Sequence, residues 1–295
     1  MGTQGAPVTA TVLLLPDGRS LAFAESGDPH GVPVVAVHGT PGSRLQFAGA
    51  GEEAAAAGVR LIVPDRPGYG LSSYHRGRRL ADWAGDVGQL ADHLGLRRFA
   101  VLGVSGGGPH ALACAALLGD RITRVGLVSP AGPSSAPELR EGLEGVRLTV
   151  LRLRHLVAPL LWPVLRLLLG AYRLAPRVML ALARRLVPER DAVILAWPRV
   201  HDRLVAQAAV RPSPTEARAA VQDLVLFSSP WRLPLDRVTQ PVDVWHGDAD
   251  ATVPVEHGRH LAGVLPHAAL HEYPGEGHLL AEERFGEVLA VMTGR

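Results

Sequence analysis

Gly103-Val104-Ser105-Gly106-Gly107 joins an apolar run, Phe99 to Val104, to an alanine-rich run, Gly106 to Leu118. The first run reads as a strand and the second as a helix, so Ser105 stands on a sharp strand-to-helix turn. A turn that sharp strains the serine backbone. It also requires tiny neighbours two positions away, because larger side chains would collide with the flanking strand and helix. Gly103 and Gly107 meet that need. The helix N-terminus then points at the serine oxygen, where developing negative charge is stabilised. These features make Ser105 the candidate nucleophile.

Working outward, short apolar runs alternate with helical patterns. Residues 9–25 read as a hairpin around Pro16-Asp17-Gly18. Pro33 to Val37, Val59 to Val63 and Ile122 to Val128 read as strands, and Gln46 to Ala57 and Leu80 to Leu94 as helices closed by Gly58 and Gly95. The rhythm stops after Pro130 and returns at Val242-Asp243-Val244-Trp245. A helix near 255–264, a strand near 268–273 and a helix near 280–292 follow. This order predicts an α/β fold with a mostly parallel central sheet and helices on both faces. Residues 133–235 carry Leu- and Arg-rich helical patterns with no convincing strand. The expected organisation is therefore a core of 1–132 and 236–295 and an all-helical insertion at 133–235. The insertion departs from the C-terminal end of a parallel strand, which is where open α/β sheets form their ligand crevice. It is expected to cover Ser105.

Three further motifs fall at such strand ends. His38-Gly39-Thr40-Pro41-Gly42 follows an early strand. A tight turn there aims a backbone N–H into the same cavity, and the N–H groups of Thr40 and Gly106 are the expected oxyanion hole. Trp245-His246-Gly247-Asp248-Ala249-Asp250-Ala251-Thr252-Val253-Pro254 follows a late strand, and Gly275-Glu276-Gly277-His278 the last one. A serine hydroxyl needs a base to take its proton, and the base needs an acid to fix its tautomer. His278 supplies the base, and Asp248 and Asp250 compete for the acid.

Together these residues resemble the α/β-hydrolase superfamily over nearly the whole chain apart from the insertion. A further landmark of the resemblance is Asp65-Arg66-Pro67-Gly68-Tyr69-Gly70-Leu71-Ser72, a loop to which it assigns no catalytic role. The resemblance places the acid three residues after a glycine and before Val-Pro. Gly247 and Val253-Pro254 frame Asp250 in that way. It also implies that 133–235 is a lid forming much of the substrate pocket. The expected reaction is cleavage of an ester, thioester or lactone through an acyl-serine. Carbon–carbon bond hydrolases and cofactor-free haloperoxidases keep the same triad, and a lyase or cyclase could use the same pocket without net hydrolysis. A binding protein on this scaffold would usually have lost a triad member.

Composition narrows the field. The chain has 295 residues and a formal net charge of +2, with no long basic block, so nucleic acid is not an expected partner. It contains no lysine, which excludes a phosphate-binding P-loop and a Schiff base. No Cys and His spacing suggests zinc, and His271-Glu272 lacks a second histidine four residues on, so neither metal nor cofactor is expected. The single cysteine, Cys114, and a start without a charged and apolar leader suit a cytoplasmic protein. Leu148 to Leu169 is apolar, but Arg152, Arg154, His155 and Arg166 interrupt it and Pro159 and Pro163 would bend it, so no membrane span is expected. The Leu, Val, Ala and Arg of the insertion favour an apolar small-molecule substrate, with room for a negative group beside an arginine.

Overall fold

The computed structural model describes residues 9–139, 154–210 and 213–294. Met1 to Ala6, and Leu148 to Leu153 of the apolar stretch with Arg152 among them, lie outside the described residues.

One eight-stranded sheet runs in the order β1-β2-β4-β3-β5-β6-β7-β8. Its strands are β1 (Thr11–Leu14), β2 (Ser20–Gly27), β3 (Val32–Val37), β4 (Val59–Pro64), β5 (Phe99–Val104), β6 (Ile122–Val128), β7 (Val242–Gly247) and β8 (Ala268–Tyr273). The hairpin β1–β2 and the pair β2–β4 are antiparallel, and the other pairs are parallel. The expected sheet is thus present. Side chains alternate between its faces. Val35, Val37, Val101, Leu127 and Val244 pack into one core with Trp83 and Leu90 of α2 (Leu80–His93) and Leu112 of α3 (Gly108–Leu118). Val34, Ala36, Leu61, Leu102 and Trp245 pack into the other with Phe285 and Leu289 of α10 (Leu280–Met292).

The strand order sets the site. From β3 the chain steps to β4 on one side, and β5 returns to the other side of β3. Strands β3 and β5 are therefore neighbours whose connections leave in opposite directions, with Val37 opposite Gly103. The crevice beyond their C-terminal ends is a topological switch point, the usual ligand site of open α/β sheets. It brings the His38–Gly42 loop against Ser105.

The helix expected over Gln46 to Ala57 is broken in two. A 3₁₀ turn spans Arg44–Phe47, and α1 begins only at Gly51 and ends at Ala56. Gly49 lies between them at φ +93°, a left-handed conformation that an α-helix cannot contain.

No strand occurs among the described residues between β6 and β7. Instead the chain forms α4 (Arg154–Leu174), α5 (Pro176–Ala183), α6 (Glu189–Ala196), α7 (Pro198–Ala209) and α8 (Glu216–Phe227). Helix α4 runs through both Pro159 and Pro163, where the sequence suggested interruption. After β7, α9 (Glu256–Val264) leads to β8. Within α4, Leu156–Leu174 has a mean hydropathy of 1.3 and is long and apolar enough, by length and composition, to cross a membrane. It also makes tertiary contacts with the rest of the protein. Leu165 packs against Tyr69 and Ala219, Arg173 pairs with Glu216, and the Tyr172 hydroxyl donates to the Leu204 carbonyl.

Candidate active site

Ser105 takes φ +53°, the left-handed region, at a cost of about 1–2 kcal/mol for a residue with a Cβ. The turn is that tight because its neighbours touch. A Cβ at Gly103 would stand 2.6 Å from the Gly107 carbonyl oxygen, and one at Gly107 would stand 2.1 Å from that of Val37. The two glycines are required by close approach rather than by backbone angle.

The structure brings Ser105, His278 and Asp250 into one hydrogen-bonded line. His278 Nδ1 lies 2.7 Å from Asp250 Oδ2, and His278 Nε2 lies 3.0 Å from Ser105 Oγ. An ionised carboxylate only accepts, so Nδ1 carries the proton and Nε2 is left to accept from the serine hydroxyl. Asp250 is pinned from both sides. Its Oδ1 accepts the N–H groups of Thr252 and Val253, both at 2.8 Å. Burial pushes its carboxyl up, but hydrogen bonds from His246 and His278 overcome this and hold it well below the usual carboxylate range. His246 is fully buried. Its Nε2 donates to the Val253 carbonyl at 2.8 Å and lies 3.3 Å from Asp250 Oδ2. Asp248 is exposed and accepts the Gly275 N–H at 2.6 Å, which ties down the start of the His278 loop. Geometry therefore selects Asp250 as the partner of His278.

Thr40 lies against Gly106, since a Cβ on Gly106 would sit 2.4 Å from Thr40 Oγ1. Neither main-chain N–H makes a hydrogen bond among the described residues. A buried charge network holds this loop from behind. The Thr40 hydroxyl donates to Asp223 Oδ2 at 2.9 Å and accepts from Arg66 Nη2 at 2.7 Å. Arg66 also donates to the carbonyls of His38 and Gly39, at 3.2 and 2.8 Å. Asp223, on α8, takes Arg66, Arg78 and, at 2.7 Å, the Tyr69 hydroxyl. His38 accepts the Arg66 N–H on Nε2 at 3.0 Å, so its proton is on Nδ1 and donates to the Gly39 carbonyl. Burial pushes both His38 and His110 down, the latter to about 3. With both rings neutral, Arg66 and Arg78 outnumber Asp223, leaving one net positive charge behind Gly39, Thr40 and Gly106.

Several of these residues were not anticipated. Asp223 sits between Ala219 and Phe227 at four-residue spacing, and an acid on such an apolar stripe was the signal available in the sequence. Asp191, on α6, is buried, and both its oxygens are engaged by the His278 segment. His246 and the supporting role of Arg66 were also missed.

A cavity of about 190 Å³ lies between the helices and the core, lined by Pro41, Leu45, Leu71, Leu169, Leu204 and Val210 among others. Its lining does not include Ser105, but Pro41 directly follows Thr40. Arg44 and Arg173 also line it, and both are already paired, with Asp65 and Glu216. An arginine waiting for a negative substrate group is therefore absent from the described walls. Cys114 is buried, and desolvation raises its thiol pKa, so it is a packing residue. No group of three His, Cys, Asp or Glu among the described residues is placed to hold a metal ion.

The alpha/beta hydrolase fold family matches residues 32–285. The chain belongs to it. Among relatives of this alpha/beta hydrolase, a proline iminopeptidase of Xanthomonas citri is 35% identical over 111 residues, 35% of this chain and 34% of that protein. The chain thus spans about a third of that relative's length. A 2-hydroxymuconate semialdehyde hydrolase of Pseudomonas putida is 28% identical over 264 residues, 84% of this chain and 81% of that one. Among solved structures, a bromoperoxidase from Bacillus anthracis superposes with a TM-score of 0.71 at 20% identity, covering 97% of this chain and all of that one. At that identity the likeness is one of fold. The three carry different activities in their names.

Proposed function

We propose that this alpha/beta hydrolase cleaves an ester, thioester or lactone of a largely apolar small molecule through an acyl-serine. The carrying observation is the line Ser105–His278–Asp250, with two unpaired N–H groups, those of Thr40 and Gly106, beside the serine. In this reading Ser105 Oγ attacks the carbonyl carbon while His278 Nε2 takes its proton. The carbonyl oxygen becomes an oxyanion held by the two N–H groups, each such donor contributing about 10²–10³ in rate. The net positive charge behind them favours the same state. His278 then protonates the leaving alcohol or thiol, and the acyl group stays on Ser105. A water, deprotonated by the same ring, attacks the acyl carbon and releases the acid. Asp250 stabilises the imidazolium in both halves. Residues 133–235 serve as the lid, and the cavity under α4 takes an apolar acyl or alcohol group. Each methylene buried there adds about 0.8 kcal/mol.

A second reading, carbon–carbon bond hydrolysis on the same triad, is favoured by the relative matched over 84% of the chain. A hydroxymuconate semialdehyde has no ester bond, so its hydrolysis must break carbon to carbon. Labelling with a fluorophosphonate tests the shared nucleophile. The label should sit on Ser105 and vanish in Ser105→Ala, with turnover falling on the order of 10⁶-fold. Labelling of Ser105→Ala at the wild-type rate would overturn both readings. Esters and thioesters of graded acyl length, set against vinylogous diketones, separate the two readings. Turnover of the diketones alone would remove the ester assignment.

A further inference from the structure

We propose that the α4–α5 face of the protein docks on an anionic lipid bilayer. The observation is an apolar stripe that stands exposed among the described residues. Leu156, Leu160, Val164, Leu167 and Leu168 follow one another at helical spacing along one side of α4, and Leu156, Leu160 and Leu167 are 72%, 70% and 74% exposed. In sequence the pattern continues through Leu174, Val178, Leu182 and Leu186, all exposed. Single exposed leucines are ordinary, but a run of this kind marks an interaction site.

Charge selects the partner. From Arg154 to Pro188 the chain contains no aspartate or glutamate. The exposed charged side chains of α4 and α5 and the turn after α5 are Arg166, Arg177, Arg184 and Arg185. None of the four makes an ion pair among the described residues, although most arginines elsewhere in the protein do. Leucines interleaved with unpaired arginines suit a helix lying in the boundary between acyl chains and anionic headgroups. There the apolar side chains enter the bilayer and each arginine meets a phosphate. A protein partner would need an equally long apolar and acidic face. A second copy of this chain would set arginine against arginine.

Docking rather than spanning follows from the helix's other side. There Leu165 packs on Tyr69 and Ala219, while Leu169, Tyr172 and Arg173 wall the cavity next to the Thr40 loop. One helix thus has lipid-compatible side chains outside and cavity side chains inside. An apolar compound dissolved in the bilayer would meet the protein beside that cavity. The docking argument itself rests on exposure and charge, and it stands whichever bond the site cleaves.

The test is co-sedimentation of the full-length protein with vesicles of phosphatidylcholine alone and of phosphatidylcholine with phosphatidylglycerol, at low and high salt. Wild-type protein should sediment with the anionic vesicles, and binding should weaken as salt rises. Leu160→Glu with Leu167→Glu should weaken binding on the order of 100-fold, the scale of withdrawing two buried leucine side chains. Arg177→Gln with Arg184→Gln should weaken it about fivefold per arginine. Leu14→Glu, at an exposed leucine on the sheet edge, should bind as wild type does. Melting curves for each variant separate lost binding from lost folding. No sedimentation of folded wild-type protein with anionic vesicles at low salt overturns the proposal, as does equal binding by folded Leu160→Glu/Leu167→Glu. So does a wild-type dimer by light scattering that the leucine variant turns into a monomer while vesicle binding is absent. In that case the face belongs to a second copy.

Discussion

The carboxylate of Asp191 accepts the main-chain N–H of His278 at 3.0 Å and that of Leu279 at 2.9 Å. Asp191 belongs to α6 and His278 to the loop before α10, 87 residues later in sequence. The bond is a helix cap supplied from another part of the chain, since Leu279, at the start of α10, has no capping side chain of its own. The approach leaves no room for a larger residue, because a Cβ on Gly277 would lie 2.4 Å from Asp191 Oδ1. Arg190 reinforces the joint through Glu276 and Glu283.

Asp191 is therefore expected to act as a positioning residue for the His278 ring. Asp191→Ala leaves two N–H groups without acceptors and frees the loop. An imidazole displaced by about 1 Å costs on the order of 10²-fold in rate. The loss should fall on kcat with KM little changed, because Asp191 does not line the cavity. Asp191→Asn retains one acceptor oxygen and should recover part of the rate. A variant that melts lower than wild type but keeps full kcat would reduce Asp191 to a structural role.

Asp250→Asn should cost roughly 10⁴-fold in activity, because the amide stabilises the wrong histidine tautomer. Asp248→Asn should cost far less. Among the described residues its oxygen accepts the Gly275 N–H, and an amide oxygen can do the same. Steady-state rates on one activated ester decide between the two carboxylates. A greater loss in Asp248→Asn would return the acid to that position.

The sheet and the turn at Ser105 could be read from sequence because both are local statements. Buried parallel strands are short β-branched runs, and the turn at Ser105 needs Gly103 and Gly107 whatever lies elsewhere. The helix over Gln46 to Ala57 was misread because hydrophobic spacing says nothing of φ at Gly49. Asp191 and Asp223 were hidden for another reason. Periodicity identifies which face of a helix is buried, but not which groups it meets, and their partners lie 87 and 157 residues away, at His278 and Arg66. Asp250 could be distinguished from Asp248 only through a motif, and the structure supplies the physical ground in the hydrogen bonds from His278, Thr252 and Val253.

Acid should destabilise the protein before most carboxylates titrate. His38, His110 and His257 are pushed down by burial, the last two to about 3 and about 4. A histidine ordinarily takes its proton near pH 6.5 in the unfolded chain. Between about 6.5 and the lowered folded values, each of the three binds a proton only on unfolding. The unfolded state then holds more protons, so stability falls as pH falls, by about 1.4 kcal/mol per pH unit for each histidine. Urea unfolding from pH 7 to 5 measures the slope. His257→Gln preserves an acceptor for the Gly132 N–H and should reduce proton uptake by about one. An unchanged slope in that variant would mean that His257 is not held neutral.

Asp223 sets the sharpest test of the network behind Thr40. Among the described residues it is the one counter-charge paired with both Arg66 and Arg78, and all three side chains are buried. Burial pushes its carboxyl up, but the two guanidinium charges pull it further down, well below the usual range. Asp223→Asn keeps the volume and removes the charge, leaving two buried cations unopposed. Breaking a buried pair in this way costs about 3–5 kcal/mol. Arg78→Leu should cost less, since Arg66 and Asp223 remain as a neutral pair. The pH dependence separates the charge from simple packing. A carboxyl lowered in the folded state contributes stability above its unfolded value, near 3.9, and loses it as pH falls toward the folded one. The deficit of Asp223→Asn relative to wild type should therefore be full at neutral pH and shrink below about pH 4. Labelling of Ser105 should slow in the same variant, because a single amide oxygen cannot accept both from Thr40, Arg66 and Tyr69 on one side and from Arg78 on the other, so the Thr40 loop is held less firmly. If Arg78→Leu is the more destabilised of the two, or the Asp223→Asn deficit is the same at every pH, the network is held by shape and not by charge.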